Sequence, residues 1–158
     1  MTHPEDENLL RAVERLAGML YEAGMPRMAA RVFSYALADD DEHYSAAQLS
    51  EALRVSPAAI SGAVRWLVDA RLLFKEREPG SRHDLYAIHD EDVWSAITLA
   101  RAELLETWQD AVEEAAKMVG TEHRGGRRLL ETKEFFRFNR DETIAMIDRW
   151  KQHRRTLS

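Results

Sequence analysis

The sequence predicts an α+β, mainly helical protein: one compact domain with helical elements at both ends. Apolar residues recur at a 3.6-residue period along most of the chain, and only the stretch from Leu72 to Ile88 changes to strand character. No repeat, low-complexity tract or Pro/Gly-rich linker separates independent domains.

With 158 residues, 45% of them apolar and 32% charged, the chain is long enough to bury a core and too short for two catalytic domains. The absence of cysteine excludes disulfide frameworks, thiolate zinc sites and cysteine nucleophiles. Thr2-His3-Pro4-Glu5-Asp6-Glu7 is acidic where a signal peptide is basic and then apolar, and no apolar run reaches membrane-spanning length. These features predict a cytoplasmic protein with no membrane partner. The formal net charge of −6 is unevenly placed, with six basic against six acidic residues over 45–90 and nine basic against five acidic over 127–158. Overall acidity argues against indiscriminate nucleic-acid binding. It leaves a local contact open, since phosphate responds to the face presented to it.

Taken in order, Leu9, Val13, Leu16 and Leu20 form a helical stripe that Gly24 and Pro26 stop near residue 23. A second helix follows, lined by Met28, Val32, Tyr35 and Ala36, and the acidic run Asp39-Asp40-Asp41-Glu42 ends it as a solvated loop. Ser45 with Gln48 three residues on is a capping-box pattern that opens a short helix, with Leu49, Ala52 and Leu53 inward. Ser56 caps the next helix with Pro57 at its first position, and Ile60, Ala63, Val64, Leu67 and Val68 form its stripe. Leu72 to Glu78 then runs as a strand, Pro79-Gly80 supplies a type II turn, and Leu85 to Ile88 returns, making a two-stranded hairpin. The helix before it must end between Asp69 and Leu72, which calls for one residue in the left-handed conformation.

Beyond the hairpin, acid at His89-Asp90-Glu91-Asp92 marks a helix start, and a stripe from Val93 through Trp108 to Met118 runs to Gly120. Some 27 residues make a rod of roughly 40 Å. The tail predicts two more helices, one through Leu129, Leu130, Phe135 and Phe136, the other opened by Asn139 with Glu142 and carrying Ile144, Ile147 and Trp150. Such a rod needs apolar cover from this tail and from a second copy of the chain.

Helix, tight turn, helix and hairpin, in that order, is the layout of a winged helix-turn-helix with N- and C-terminal dimerisation helices. The second helix of the pair enters the DNA major groove, and the hairpin lies along the backbone. With Ile60, Ala63, Val64 and Leu67 facing the core, the opposite face presents Ala58, Ser61, Gly62 and Arg65. Small side chains admit close approach, and a guanidinium can fork onto guanine or phosphate. Ser56, at the positive helix end, suits a phosphate oxygen, and Ser45 joins it as the cap of the preceding helix. Lys75, Arg77, Arg82 and His83 flank the hairpin turn, where a wing meets phosphate or minor groove. Each has a plain structural role beside the functional one: the serines cap helices regardless of DNA, Gly62 relieves packing, and an alternating charged hairpin discourages strand aggregation.

The stretch from Ser45 to Leu67 resembles the MarR-type winged-helix regulators, particularly their GbsR-like branch. The wing Glu78-Pro79-Gly80-Ser81-Arg82-His83-Asp84-Leu85-Tyr86, the segment Gly24 to Val32 and the long helix after the wing share the likeness, and the tail beyond Gly120 shares it weakly. The resemblance implies a sequence-specific DNA-binding transcriptional regulator. It would act as a homodimer with interlocked terminal helices on a pseudo-palindromic operator of double-stranded DNA, with a small-molecule effector in many members. By the family pattern Ser56, Ala58, Ser61 and Arg65 fall on the recognition helix and Arg82 on the wing arginine. Two departures stand out: Gly80-Ser81-Arg82 replaces the family's wing Asp-x-Arg, and Arg71 stands where a helix-ending glycine is usual.

The expected organisation is a dimerisation helix over 1–24, the DNA-binding domain over 25–90, and a long helix with a helical dimerisation region over 91–158. Leu9, Val13, Leu16, Leu20, Leu104, Trp108, Phe135, Phe136, Ile147 and Trp150 are the dimerisation candidates. Trp94 and Phe138, with neighbouring aromatics, could instead line a ligand pocket, and the basic run Arg149 to Arg155 could touch nucleic acid. If both lay on the returning strand, His83 and His89 would be about 20 Å apart and could not share an ion, and His89 with Asp90 instead starts the long helix. No metal, cofactor or catalytic constellation is expected, so the chain is not expected to be an enzyme. The rival to a DNA-binding regulator is a winged-helix module for protein interaction that does not bind DNA.

Overall fold

The computed structural model describes residues 4–77, 80, 83–88 and 92–157, with side chains from residue 7 onward. It forms two compact units, Met1–Glu91 and Asp92–Ser158.

In the first unit, α1 (Pro4–Glu22) buries Val13 and Ala17 against α2 (Arg27–Ala38). The chain leaves α1 through Gly24 at φ 98°, with the Gly24 amide donating to the Tyr21 carbonyl at 2.9 Å and the Met25 amide to Leu20 at 3.0 Å. Those two bonds satisfy the last carbonyls of the helix, and glycine takes the left-handed conformation without a Cβ clash. Helix α2 buries Ala29, Ala30, Val32, Phe33, Ser34 and Ala36. The expected stripe through Met28 and Tyr35 is therefore displaced: α2 lies between α1 and α4, so it is buried on a front too broad for one stripe to mark.

Tyr44–Ser45 forms a short strand β1, absent from the sequence expectation, which pairs with β3 (Asp84–Ala87) at Tyr44↔Tyr86 and Ser45↔Leu85. With β2 (Phe74–Arg77) the order is β1-β3-β2, all antiparallel, so the expected hairpin is two strands of a three-stranded sheet. Tyr44 anchors it. Its ring is buried edge-on to Tyr35 at 5.7 Å, and its hydroxyl lies 2.6 Å from the Asp41 carbonyl and 3.0 Å from the Asp39 carboxylate. Burial and that carboxylate push the phenol above its ordinary range. The acidic run is thus solvated except at Asp39.

Helix α3 (Ala46–Ala52) opens with the expected capping box: the Gln48 amide donates to Ser45 Oγ at 3.2 Å, and the Ser45 amide to Gln48 Oε1 at 2.8 Å. Helix α4 (Pro57–Asp69) opens on Ser56, whose Oγ accepts from the Ala59 amide at 3.3 Å. Both helices stop as α1 does, but with arginine in the left-handed position: Arg54 at φ 55° and Arg71 at φ 58°. After Arg71 the Leu72 amide returns to the Leu67 carbonyl at 2.9 Å, and Leu72 and Leu73 are buried as a bend. The strand therefore starts at Phe74, two residues later than their apolar character suggested. At the hairpin tip Gly80 has φ 81°, and Pro79 lies outside the described residues.

A Cβ in the left-handed region is strained by about 1–2 kcal/mol. Arg71→Gly is therefore expected to raise the unfolding midpoint, part of the gain being offset by the looser unfolded chain. Urea unfolding checks this, and DNA titration of the same variant shows whether the guanidinium has a second use. A lower midpoint with unchanged DNA affinity would contradict both roles.

In the second unit, α5 (Val93–Val119) and α6 (Arg124–Arg154) run antiparallel. Lys133 bonds Glu113 at 2.6 Å, Arg140 lies 3.6 Å from Glu106, and the Trp150 Nε1–H donates to Asp92 at 3.0 Å, so later residues on α6 meet earlier ones on α5. The expected pair of tail helices is one helix of 31 residues. Asn139 sits inside it, accepting from Thr143 Oγ1 at 3.4 Å, because neither Gly nor Pro interrupts the run after Gly126 and the face against α5 continues past it. Gly120, at φ 91°, turns the chain, and the buried Gly126 lets the start of α6 lie directly on the Gly120 carbonyl. At the far end the Asp92 carboxylate caps α5, accepting from the Ser95 amide at 3.2 Å and Ser95 Oγ at 2.6 Å. Desolvation pushes this carboxyl upward, but the bonds from Ser95 and Trp150 outweigh it and hold the group below its ordinary range.

Candidate nucleic-acid interface

Burial on α4 divides the helix cleanly. Ile60, Ala63, Val64 and Leu67 are in the core, packed toward α2 and α3. Ala58, Ser61, Gly62 and Arg65 are exposed at spacings of three and four residues, on one outward face. A Cβ built on Gly62 would meet no atom within 4 Å, so packing inside this unit does not require glycine there. Arg65 makes no hydrogen bond or ion pair among the described residues, which leaves its five donors available. The hydroxyl of Ser56 is engaged with the Ala59 amide and that of the half-buried Ser45 with the Gln48 amide, so both serve as caps.

On the wing, Lys75 Nζ lies 2.8 Å from Asp84 Oδ2, and this bond holds the ammonium above its ordinary range. Its charge is paired within the sheet. Arg77 is exposed across from Asp84 in the β2–β3 register, and His83 is exposed just before β3. Arg82 and His89 lie outside the described residues.

Sequence reasoning missed three residues of this surface. Arg54 is exposed in the turn between α3 and α4; its sequence signal was its place two residues before the Ser56 cap. Trp66, 37% exposed, borders the outward face of α4. His43 Nε2 lies 3.2 Å from Glu76 Oε2, a contact across the sheet between residues 33 apart that no local pattern encodes.

The dimerisation candidates fall into two groups. Val13 and Ile147 are interior to their own units. Leu9, Leu16, Leu20, Leu104, Phe136 and Trp150 are half-buried, while Trp108 and Phe135 are 50% and 59% exposed, with Trp108 and Phe136 ring centroids 5.8 Å apart. Among the described residues no group of three or more His, Asp or Glu side chains could hold a metal ion, and no helix is long and apolar enough to cross a membrane.

A capped helix pair with a tight turn, followed by a small antiparallel sheet whose hairpin flanks the second helix in sequence, defines a winged helix-turn-helix protein. Residues 92–153 match the family model of an MmpR5-like MarR family transcriptional regulator. YvaV of Bacillus subtilis (strain 168), described as an HTH-type transcriptional regulator, is 31% identical over 106 residues, 67% of this chain and 57% of YvaV. Over residues 92–153 the chain is thus similar to the MarR family regulators. It spans a little over half the length of that curated relative. A solved structure described as a transcriptional regulator shares the fold with a TM-score of 0.75 at 21% identity, over 92% of this chain and 99% of the other.

Proposed function

We propose that this protein is a sequence-specific transcriptional regulator that binds double-stranded DNA as a homodimer on a pseudo-palindromic operator, within the GbsR-like branch. The observation that carries this is the outward face of α4: small side chains at Ala58, Ser61 and Gly62, with no packing demand for the glycine, beside an unpaired Arg65. A face built for close approach and ending in a forked donor fits a major-groove edge. Arg54, Arg77, His83 and, from the sequence, Arg82 supply backbone contacts. The homodimer is supported by apolar surface on the second unit, where Trp108, Met118, Phe135 and Phe138 are half or more exposed. Domain roles follow from this: residues 25–90 bind DNA, and 1–24 with 91–158 dimerise. Room for a small-molecule effector exists in a cleft of about 660 Å³ lined by Asp92, Trp150, Lys151, Arg154, Arg155 and Leu157.

The test begins with selection of bound fragments from random DNA, on a sample whose sedimentation is expected at twice the 18.2 kDa chain mass. Arg65→Ala should then weaken the selected operator by about 1–3 kcal/mol, roughly 5- to 150-fold, and blur one base-pair position per half-site. Arg82→Ala should weaken all sequences alike. Indistinguishable profiles for the two variants on single-base operator changes would refute the division between base reader and backbone anchor. Absent binding at low salt would favour the protein-interaction module.

A further inference from the structure

A groove of about 690 Å³ runs along the β1–β3 edge of the sheet, lined among others by His43, Ser45, Gln48, His83, Asp84 and Tyr86. Over 74–87 the wing carries Lys75, Arg77 and Arg82 against Glu76, Glu78 and Asp84, so it is neutral when His83 is neutral. Within the described part, Lys75 is paired with Asp84 and His43 with Glu76. Of the described basic residues on the wing only Arg77 is left unengaged, so the attraction of the wing for a phosphate is modest.

His43 can change that. A carboxylate only accepts, so the 3.2 Å contact with Glu76 requires the proton of neutral His43 to sit on Nε2. Nδ1 then carries a lone pair, which repels a phosphate oxygen. Protonation turns Nδ1 into a donor while Nε2 keeps its bond to Glu76, and the His43–Glu76 pair goes from net negative to neutral. The groups around His43 are Glu76 of β2, Asp41 and Glu42 on its own loop, and His83 and Asp84 across the groove, with Asp84 held by Lys75. A phosphate in the groove would meet repulsion from a lone pair on Nδ1 and a hydrogen bond from a proton there.

We propose that this groove takes one backbone phosphate of the DNA duplex and that His43 takes up a proton as it does so. The proposal rests on the DNA-binding reading above. Binding to a mixed-sequence duplex of about 30 base pairs, enough for two half-sites, is measured at fixed salt between about pH 8 and pH 6. Affinity of the wild type is expected to rise as pH falls, by up to about tenfold per pH unit for each proton taken up. His43→Gln keeps a hydrogen bond to Glu76 but cannot be charged. It should match the wild type at the higher pH and lack the gain that depends on His43 at the lower. Glu76→Gln frees the tautomer, because an amide can donate to Nε2 and leave the proton on Nδ1; it should bind more tightly at the higher pH with a shallower pH response. A wild type that binds DNA without pH dependence, or a His43→Gln variant with the full wild-type response, would overturn the proposal and leave the DNA reading intact. Failure of the wild type to bind DNA at either pH would defeat both.

Discussion

Replacing Phe33 with alanine is expected to lower the unfolding free energy by about 3–5 kcal/mol. The ring is 1% exposed on α2, the helix that packs on α1 and on α4, and its removal leaves a cavity in a close-packed core. A typical domain has about 5–15 kcal/mol in total, so the variant should be partly unfolded at modest urea concentrations. Because α4 packs on α2, DNA affinity should fall with stability although Phe33 touches no DNA in the proposed mode. Urea unfolding gives the magnitude. A loss under about 1 kcal/mol, the size of an ordinary surface effect, would show that the ring does not hold the core together.

Gly126→Ala should cost about 2–3 kcal/mol or more, through overpacking instead of a void. A Cβ there would collide with the Gly120 carbonyl oxygen and carbon and come within 3.0 Å of the Thr121 Cα, all backbone atoms that cannot rotate away. Relief requires the four-residue turn to move or the start of α6 to unwind, which shifts the bonded pairs Lys133–Glu113 and Arg140–Glu106 along the hairpin. The neighbour supplies the control. A Cβ on Gly125 would meet only the exposed Val119 side chain, at 3.4 Å, and alanine is the better helix former by about 1 kcal/mol, so Gly125→Ala should leave the melting temperature unchanged or raised. Equal effects from the two substitutions would mean that the loss at Gly126 reflects backbone freedom and not contact.

Much of the first unit was legible because its signals are local. A capping box spans four residues, so Ser45 and Gln48 announce α3 wherever the chain goes; Ser56-Pro57 does the same for α4. The two faces of α4 follow from helical period, which is why the outward face at Ala58, Ser61, Gly62 and Arg65 could be named without coordinates. The expectation of a left-handed residue between Asp69 and Leu72 matches Arg71 at φ 58° for the same reason: the geometry of a helix stop is confined to a few residues. The single helix α6 shows where local signals mislead, because Asn139 with Glu142 imitates a start that nothing upstream makes necessary.

The sequence by itself determined the helix pair, its caps, the outward face of α4 and the length of α5, all fixed by interactions within about four residues along the chain. Only the tertiary structure decided that Tyr44–Ser45 adds a third strand, that Phe33 and not Tyr35 fills the interior of α2, that Lys75 is paired with Asp84, and that His43 meets Glu76. Those outcomes depend on which distant segments come together. A two-residue strand has no period to detect, and a charged side chain carries no mark of whether its partner lies in solvent, in DNA or 33 residues away.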